Sequence, residues 1–225
     1  KNTVSNLEFY TTNYGIFALN TALNQGSGIW PRGSQNHYIF GGGVWFAAKK
    51  KRPGTDQFRN YVTVTYNPNS GASWMVPGRI ADGDLVDNEA AKKYRVYFST
   101  DFYTNDGKPI NDNDGPNWPI WDANPDPKAV VTKDRYFGWY IPDVGMRNTN
   151  TYPKGPAFIS GEDIFATFKD TDLSRYEGGT AQRRQEGYPL RLQFEQMIYS
   201  WGFGDYRDIV FLAYNITNHS TDTLR

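Results

Sequence analysis

The sequence predicts an all-β protein built from sandwich-like antiparallel sheets, with long ordered loops and at most one or two short helices. Aromatic residues are frequent, with 16 Tyr, 14 Phe and 7 Trp, and aromatic side chains favour strands. The 22 Gly and 13 Pro interrupt the chain at short intervals, as expected for strands joined by turns. Several segments also alternate apolar and polar residues with the period of two that is typical of a half-buried strand.

The amino-terminal elements follow from local patterns. Residues 7–18 predict two short strands, because Asn13 and Gly15 favour a turn between two apolar stretches. Residues 37–51 predict an apolar strand that Gly41–Gly43 interrupt. No Lys-Ser or Lys-Thr pair and no helix follow these glycines, so a phosphate loop is disfavoured. We expect a bulge there, or a neighbouring backbone or aromatic ring packed on the glycines. Residues 58–68 alternate as a strand.

The remaining elements are less regular. Residues 84–98 are the best helix candidate, with about two turns before the chain returns to strand at 95–98. Residues 99–156 read as a long loop, and their tryptophans indicate that it is ordered. Strands are predicted within 157–170, 188–203 and 208–218, whereas Arg183 and Arg184 are expected in a solvated loop. No repeat or linker is evident, so residues 1–225 are expected to form a single β-rich domain.

Composition excludes several classes of function. The chain has no cysteine, which removes thiolate zinc sites, iron–sulfur clusters and cysteine nucleophiles. Its only histidines are His37 and His219, too few for a histidine metal cluster. The 24 basic and 24 acidic residues cancel, so no net field attracts nucleic acid. No apolar run is long enough to span a membrane. Glycoside hydrolysis by paired carboxylates is the enzymatic class that this inventory allows.

Two acidic clusters are candidate cation sites, with calcium as the expected ion. In the loop 108–128, Ile110 and Trp121 occupy the first and last ligand positions of an EF-hand pattern, so an irregular site is the remaining form of calcium binding. The candidate ligands in the two clusters are Asp112, Asp114 and Asn117 in the loop, and Asp163, Asp170 and Asp172 near the end of a predicted strand. The alternatives are turns held by side-chain hydrogen bonds, a helix cap, or, for the second cluster, a catalytic carboxylate pair.

Tryptophans near loops are candidates for contact with carbohydrate or with a protein partner, because their rings can stack on sugars or pack in an interface. The loop contains Trp118, Trp121 and Trp139, and the same reasoning applies to Trp30 and Trp201. Packing in the core or at its rim is the alternative for each of them.

Five segments together resemble a known family. They are Asn13-Tyr14-Gly15, Pro31-Arg32-Gly33-Ser34, Tyr38 to Trp45, Asp163 to Asp172, and Phe211 to Asn218. The chain resembles the amino-terminal region of large surface proteins exported by type IX secretion in Bacteroidetes, Ignavibacteria and their relatives. The resemblance implies a β-rich protein, extracellular or on the surface of a bacterium, and a chain that is a fragment of a longer exported protein. The family has no settled activity, so it supplies no catalytic residues.

These observations predict a non-enzymatic structural or assembly protein, such as a subunit of a surface layer, sheath or filament. Its expected partners are further copies of itself or neighbouring surface proteins, reached by pairing at an exposed strand such as residues 210–218. The alternative is a calcium-assisted module that binds or cleaves carbohydrate, with a glycan as its partner.

Overall fold

The computed structural model of the chain describes residues 1–85, 94–98 and 160–225. In this part of the chain, antiparallel β-sheet dominates and a single α-helix is present, which confirms the predicted fold class. No helix in the described ranges has the length and apolar character needed to cross a membrane.

The described elements are mostly short strands. They are β1 (Leu19–Asn20), β2 (Gln25–Gly26), β3 (Gly28–Ile29), β4 (His37–Ile39), β5 (Trp45–Lys51), β6 (Phe58–Val64), β7 (Val76–Pro77), β8 (Tyr97–Phe98), β9 (Glu162–Lys169), β10 (Leu192–Ser200) and β11 (Val210–Asn218), with the helix α1 (Thr180–Glu186). Turns of 3-10 helix lie at Ile80–Asp82, Leu173–Arg175 and Gly204–Asp208.

The largest sheet is antiparallel, with strand order β11-β10-β9-β7, and β8 pairs with β9 beside β7. All eight residues of β9 are buried, so both faces of this central strand are covered. The long hairpin β5–β6 and the two small hairpins β1–β2 and β3–β4 form separate sheets. The strands therefore form stacked sheets, as the sandwich-like prediction requires.

The main core lies on the face of the large sheet that carries the even-numbered residues of β9 and β10. The hairpin β5–β6 covers one part of this face, where the Phe46 ring packs edge-on to Phe194 with centroids 6.3 Å apart. The amino-terminal residues Phe9 and Ala18 cover another part, against Ile164. Alternation in β9 and β10 produces this face, because successive side chains of a strand point to opposite sides.

The three glycines between β4 and β5 allow close packing. A Cβ on Gly42 would lie 2.5 Å from the Phe17 ring, and a Cβ on Gly43 would lie 2.8 Å from the backbone nitrogen of Tyr66. The expectation that a ring or a backbone packs on these glycines is confirmed.

Local predictions had mixed outcomes. The predicted turn near Asn13 and Gly15 is present, with Thr11 and Phe17 bridged across it. The expected loop at Arg183 and Arg184 is wrong, because both lie on α1. This helix is exposed and lacks the apolar stripe that marks a packed helix, so periodicity gave no signal. Most of the helix candidate 84–98 and the loop 99–156 lie outside the described residues, although β8 confirms a strand near 97.

Candidate assembly interface

Strand β11 forms one edge of the large sheet. It pairs with β10 in a continuous register from Leu192 opposite Asn218 to Ser200 opposite Val210, without a bulge. No other described strand pairs with it. Its nine residues, VFLAYNITN, are mostly half-buried or exposed, and Phe211 is 46% exposed. The strand that the sequence singled out for edge pairing is therefore an edge strand in the part of the chain that the structure describes.

The direction of the backbone groups in β11 follows from the hydrogen bonds at its end. The N–H of His219 donates to the carbonyl oxygen of Arg191 at 2.9 Å. Because neighbouring residues of a strand point their backbone groups to opposite sides, the odd-numbered residues of β11 bond to β10. The N–H and C=O groups of the even-numbered residues point to the outer edge. These residues are Val210, Leu212, Tyr214, Ile216 and Asn218.

This edge lacks the features that usually prevent edge-to-edge association. Proteins protect such strands with lysine or another charge, with proline, with a bulge or with short length. β11 contains no charged residue and no proline, its register is uninterrupted, and it is nine residues long. The combination is typical of a strand that accepts another strand.

A second exposed feature is an aromatic surface, which we define as Trp30, Tyr38, Trp201, Phe203, Tyr206 and Phe211. The rings of Trp30 and Tyr38 lie 6.2 Å apart, and the Trp201 ring contacts both Tyr206 at 5.6 Å and Phe211 at 5.7 Å. Phe203 is 68% exposed. Exposed aromatic clusters mark sites of association, because burial of their large apolar area is favourable.

Hydrogen bonds to Asp208 join the two halves of the aromatic surface. The Nε1–H of Trp30 donates to Oδ1 of Asp208 at 2.7 Å, and the Nδ2–H of Asn6 donates to the same oxygen at 2.6 Å. These hydrogen bonds, that from Trp30 first, lower the pKa of Asp208. The bond holds Trp30 beside the turn Gly204–Asp208, next to β11. The aromatic surface is thus continuous with the start of the free edge.

The second acidic cluster is spread along the molecule. Asp163 lies near one end of the extended β9 and Asp170 follows its other end, so their α-carbons are separated by about 23 Å. Asp163 accepts the N–H of Ser160 at 2.9 Å. Asp172 caps the turn Leu173–Arg175, where it accepts the N–H of Ser174 at 2.9 Å. Each carboxylate is therefore engaged in a local hydrogen bond, and the structure does not bring Asp163 together with the other two.

Asp170 is buried and has four hydrogen-bonding contacts. Its carboxylate accepts the N–H groups of Leu190 at 3.0 Å and Leu192 at 2.6 Å, and the hydroxyl of Tyr176 lies 3.2 Å from it. Its own N–H donates to the carbonyl of Leu192. Burial raises the pKa of Asp170 to about 6, against the opposing effect of these hydrogen bonds. The residue fastens the chain at 188–192 to the end of β9.

The candidate ligands Asp112, Asp114 and Asn117, with Trp118, Trp121 and Trp139, lie outside the described residues. Among the residues that are described, no three His, Asp or Glu side chains are grouped so that they could hold a metal ion. The calcium prediction stays a prediction.

A pocket of about 660 Å³ lies between α1 and the chain at 188–191. Its wall includes Asp84, Asp172, Arg184, Tyr188 and Arg191. Asp84 forms an ion pair with Arg191 at 3.1 Å, and Asp172 is bonded to Ser174. Both carboxylates of the pocket wall therefore already have partners, so the pocket gives little support to hydrolysis by a carboxylate pair.

Sequence reasoning named Trp30 and Trp201 as contact residues but missed Tyr38, Phe203 and Tyr206. The signal was present in the stretch WGFGDY, where glycine and aspartate alternate with aromatic residues. Such a stretch is a poor strand and a poor core segment, so its rings are expected at the surface.

The comparisons with known proteins do not extend this description. No protein-family model, no curated protein and no solved structure matches the chain.

Proposed function

We propose that this protein is a non-enzymatic structural subunit that assembles on the surface of a bacterium by adding chains to the free edge of β11. The observation that carries the proposal is the nine-residue, uncharged and unbulged edge, whose outward backbone groups have no hydrogen-bond partner among the described residues. A second strand would satisfy these groups and extend the sheet.

Two further observations support assembly. The aromatic surface adjoins the edge, and its burial would add apolar stabilisation to a contact made by backbone hydrogen bonds. The equal numbers of acidic and basic residues leave no net charge to keep copies apart. The extracellular location is proposed from the resemblance to exported surface proteins.

One observation favours the alternative function, a calcium-assisted module that binds carbohydrate. Trp30 is 41% exposed and Tyr38 is 63% exposed, and the bond to Asp208 orients the Trp30 ring. Fixed aromatic rings of this kind can stack on sugars. Glycan binding that is lost in Trp30→Ala, by a protein that stays monomeric, would favour this alternative.

The assembly proposal is tested by placing charge on the edge. Phe211 and Thr217 are both exposed residues of β11, so the double variant Phe211→Lys with Thr217→Lys should fold normally. We expect the unaltered protein to form dimers or larger species by light scattering and regular assemblies by electron microscopy. The lysine variant should be monomeric, because lysine on an edge opposes strand addition.

The matched control adds the same charge elsewhere. Leu23→Lys with Gln185→Lys places two lysines at exposed positions outside β11, and this variant should assemble as the unaltered protein does. Circular dichroism checks that all three proteins are folded. Dispersed monomers of the unaltered protein at every concentration would overturn the proposal, and normal assembly of the β11 variant would exclude this edge.

A further inference from the structure

The partner of β11 can be specified further. From the geometry of its edge, and resting on the proposed function, we infer that β11 pairs with β11 of a second copy, antiparallel, about a two-fold axis that passes through Tyr214. The contact joins the two large sheets into one continuous sheet. It is isologous, since each copy presents the same strand to the other.

Backbone geometry limits the registers in which two such strands can pair. The even-numbered residues point their N–H and C=O groups outward, as His219 and Arg191 establish. Even residues of one copy must therefore face even residues of the other. A two-fold axis centred on any residue of the strand satisfies this condition. Only the axis at Tyr214, the central residue, pairs the whole strand from Val210 to Asn218.

In that register every outward backbone group finds a partner. Val210 faces Asn218 of the second copy, Leu212 faces Ile216, and Tyr214 faces Tyr214. Five hydrogen-bonded pairs exchange two bonds each, which makes about ten hydrogen bonds between the copies. A centre one residue away leaves the last two residues of each strand without a partner in β11.

The side chains are also compatible with a second copy. On the core face, Leu212 lies opposite Ile216 of the second copy, an apolar cross-strand pair that occurs twice by symmetry. On the other face, Phe211 lies opposite Thr217 and Ala213 lies opposite Asn215. β11 has no charged residue, so no pair brings like charges together. A second copy therefore satisfies both the backbone and the side chains of the edge.

Cysteine cross-linking tests this register directly, because the chain contains no cysteine of its own. Ala213→Cys and Asn215→Cys are prepared as separate proteins, one carrying a mass tag. Both positions are half-buried, and Asn215 loses only a 3.3 Å bond to Glu195, so both variants should fold. In the inferred register these two positions form a pair without hydrogen bonds, with α-carbons about 4.5 Å apart. That distance permits a disulfide.

The expected result is a mixed disulfide dimer that forms at least fivefold faster in the mixture than a homodimer does in either protein alone. Like positions lie diagonally, at about 7–8 Å, in this register. Efficient self-cross-linking of Ala213→Cys alone, or of Asn215→Cys alone, would place the axis elsewhere and overturn the inference. Absence of any cross-link in a protein that still associates would overturn it while leaving the proposed function in place. A protein that does not associate at all would overturn both.

A charge pair provides a second, independent measurement. Phe211→Lys with Thr217→Lys places lysine opposite lysine across the axis, twice. Phe211→Lys with Thr217→Glu keeps the same first substitution but places glutamate opposite lysine. We expect the dimer lost in the first variant to be restored in the second, with at least a tenfold difference in dissociation constant at low salt. Equal dissociation constants for the two variants would contradict the register.

Discussion

At the scale of single residues, Asp170 has the clearest structural role. Its carboxylate is buried at the end of β9 and accepts two backbone N–H groups that the following chain cannot satisfy within a strand. Such a group is costly to bury as an anion, and hydrogen bonds offset only part of that cost. Asp170 therefore fixes the path of the chain into β10 while it makes folding sensitive to pH.

The raised pKa of Asp170, about 6 against an ordinary value of 3.8, fixes the sign of that sensitivity. The folded protein holds the proton more tightly than the unfolded chain does. Its contribution to stability is therefore complete below about pH 4 and is lost as the pH rises through 6. A shift of two pKa units corresponds to roughly 3 kcal/mol. We expect the unfolding free energy of the natural protein, relative to Asp170→Asn, to fall by up to that amount between pH 4 and pH 7.5.

Urea unfolding at the two pH values measures this difference. The Asn variant is the control, because it cannot ionise and all other titrating groups are shared. If the two proteins changed in parallel between pH 4 and pH 7.5, Asp170 would not be the group with the raised pKa.

At the scale of elements, the contact between Gly42 and Phe17 joins the chain before β5 to the amino-terminal segment. Their backbones exchange two hydrogen bonds, at 2.9 and 3.0 Å, and the Phe17 ring stacks on Phe9 with centroids 5.6 Å apart. The absence of a side chain at Gly42 lets the Phe17 ring lie directly on the backbone. The glycine is required here by packing.

We expect Gly42→Ala to lower the unfolding free energy by about 1–3 kcal/mol, because the new methyl group would overlap the Phe17 ring. Chemical denaturation of Gly42→Ala, Phe17→Ala and the double variant measures the effect. In the double variant the space vacated by the ring accepts the methyl group, so the combined cost should be smaller than the sum of the two single costs. Additive costs would show that the two residues are not coupled.

The elements also show how far sequence reasoning extends. β6, β9, β10 and β11 fall within segments that were predicted as strands, because alternating residues report directly which face of a strand is buried. Helix α1 was missed because its residues are exposed on all sides, and a helix of that kind leaves no periodic apolar signal. The break between β4 and β5 was expected from the glycines, whereas the ring that covers them was not identifiable.

At the scale of the whole molecule, a two-fold contact through β11 closes on itself and produces a dimer only. A filament, sheath or layer requires at least one more contact between dimers. The aromatic surface is the best candidate for that contact among the described residues, since Phe203 and Tyr206 are 68% and 56% exposed. Assembly would then proceed in two steps, with the edge making dimers and the aromatic surface joining them.

We expect Phe203→Ala with Tyr206→Ala to retain the dimer and to lose larger assemblies, because the apolar area that would join dimers is removed. Electron microscopy and light scattering measure the two properties separately. Leu23→Ala removes an apolar side chain that is 69% exposed but lies outside the aromatic surface, so this control should assemble normally. Unchanged polymers in the double variant would place the second contact elsewhere.

The sequence by itself determined the β class and the segments that become strands, because composition and alternation are local properties of the chain. It also showed that residues 210–218 carry no charge. Only the tertiary structure decided that this strand lies at an edge, that Asp163 and Asp170 stand at opposite ends of β9, and that Trp30 meets Asp208. Strand order and contacts between distant residues depend on how the sheets pack. Side chains 178 positions apart in the chain, such as Trp30 and Asp208, leave no local pattern from which their meeting could be predicted.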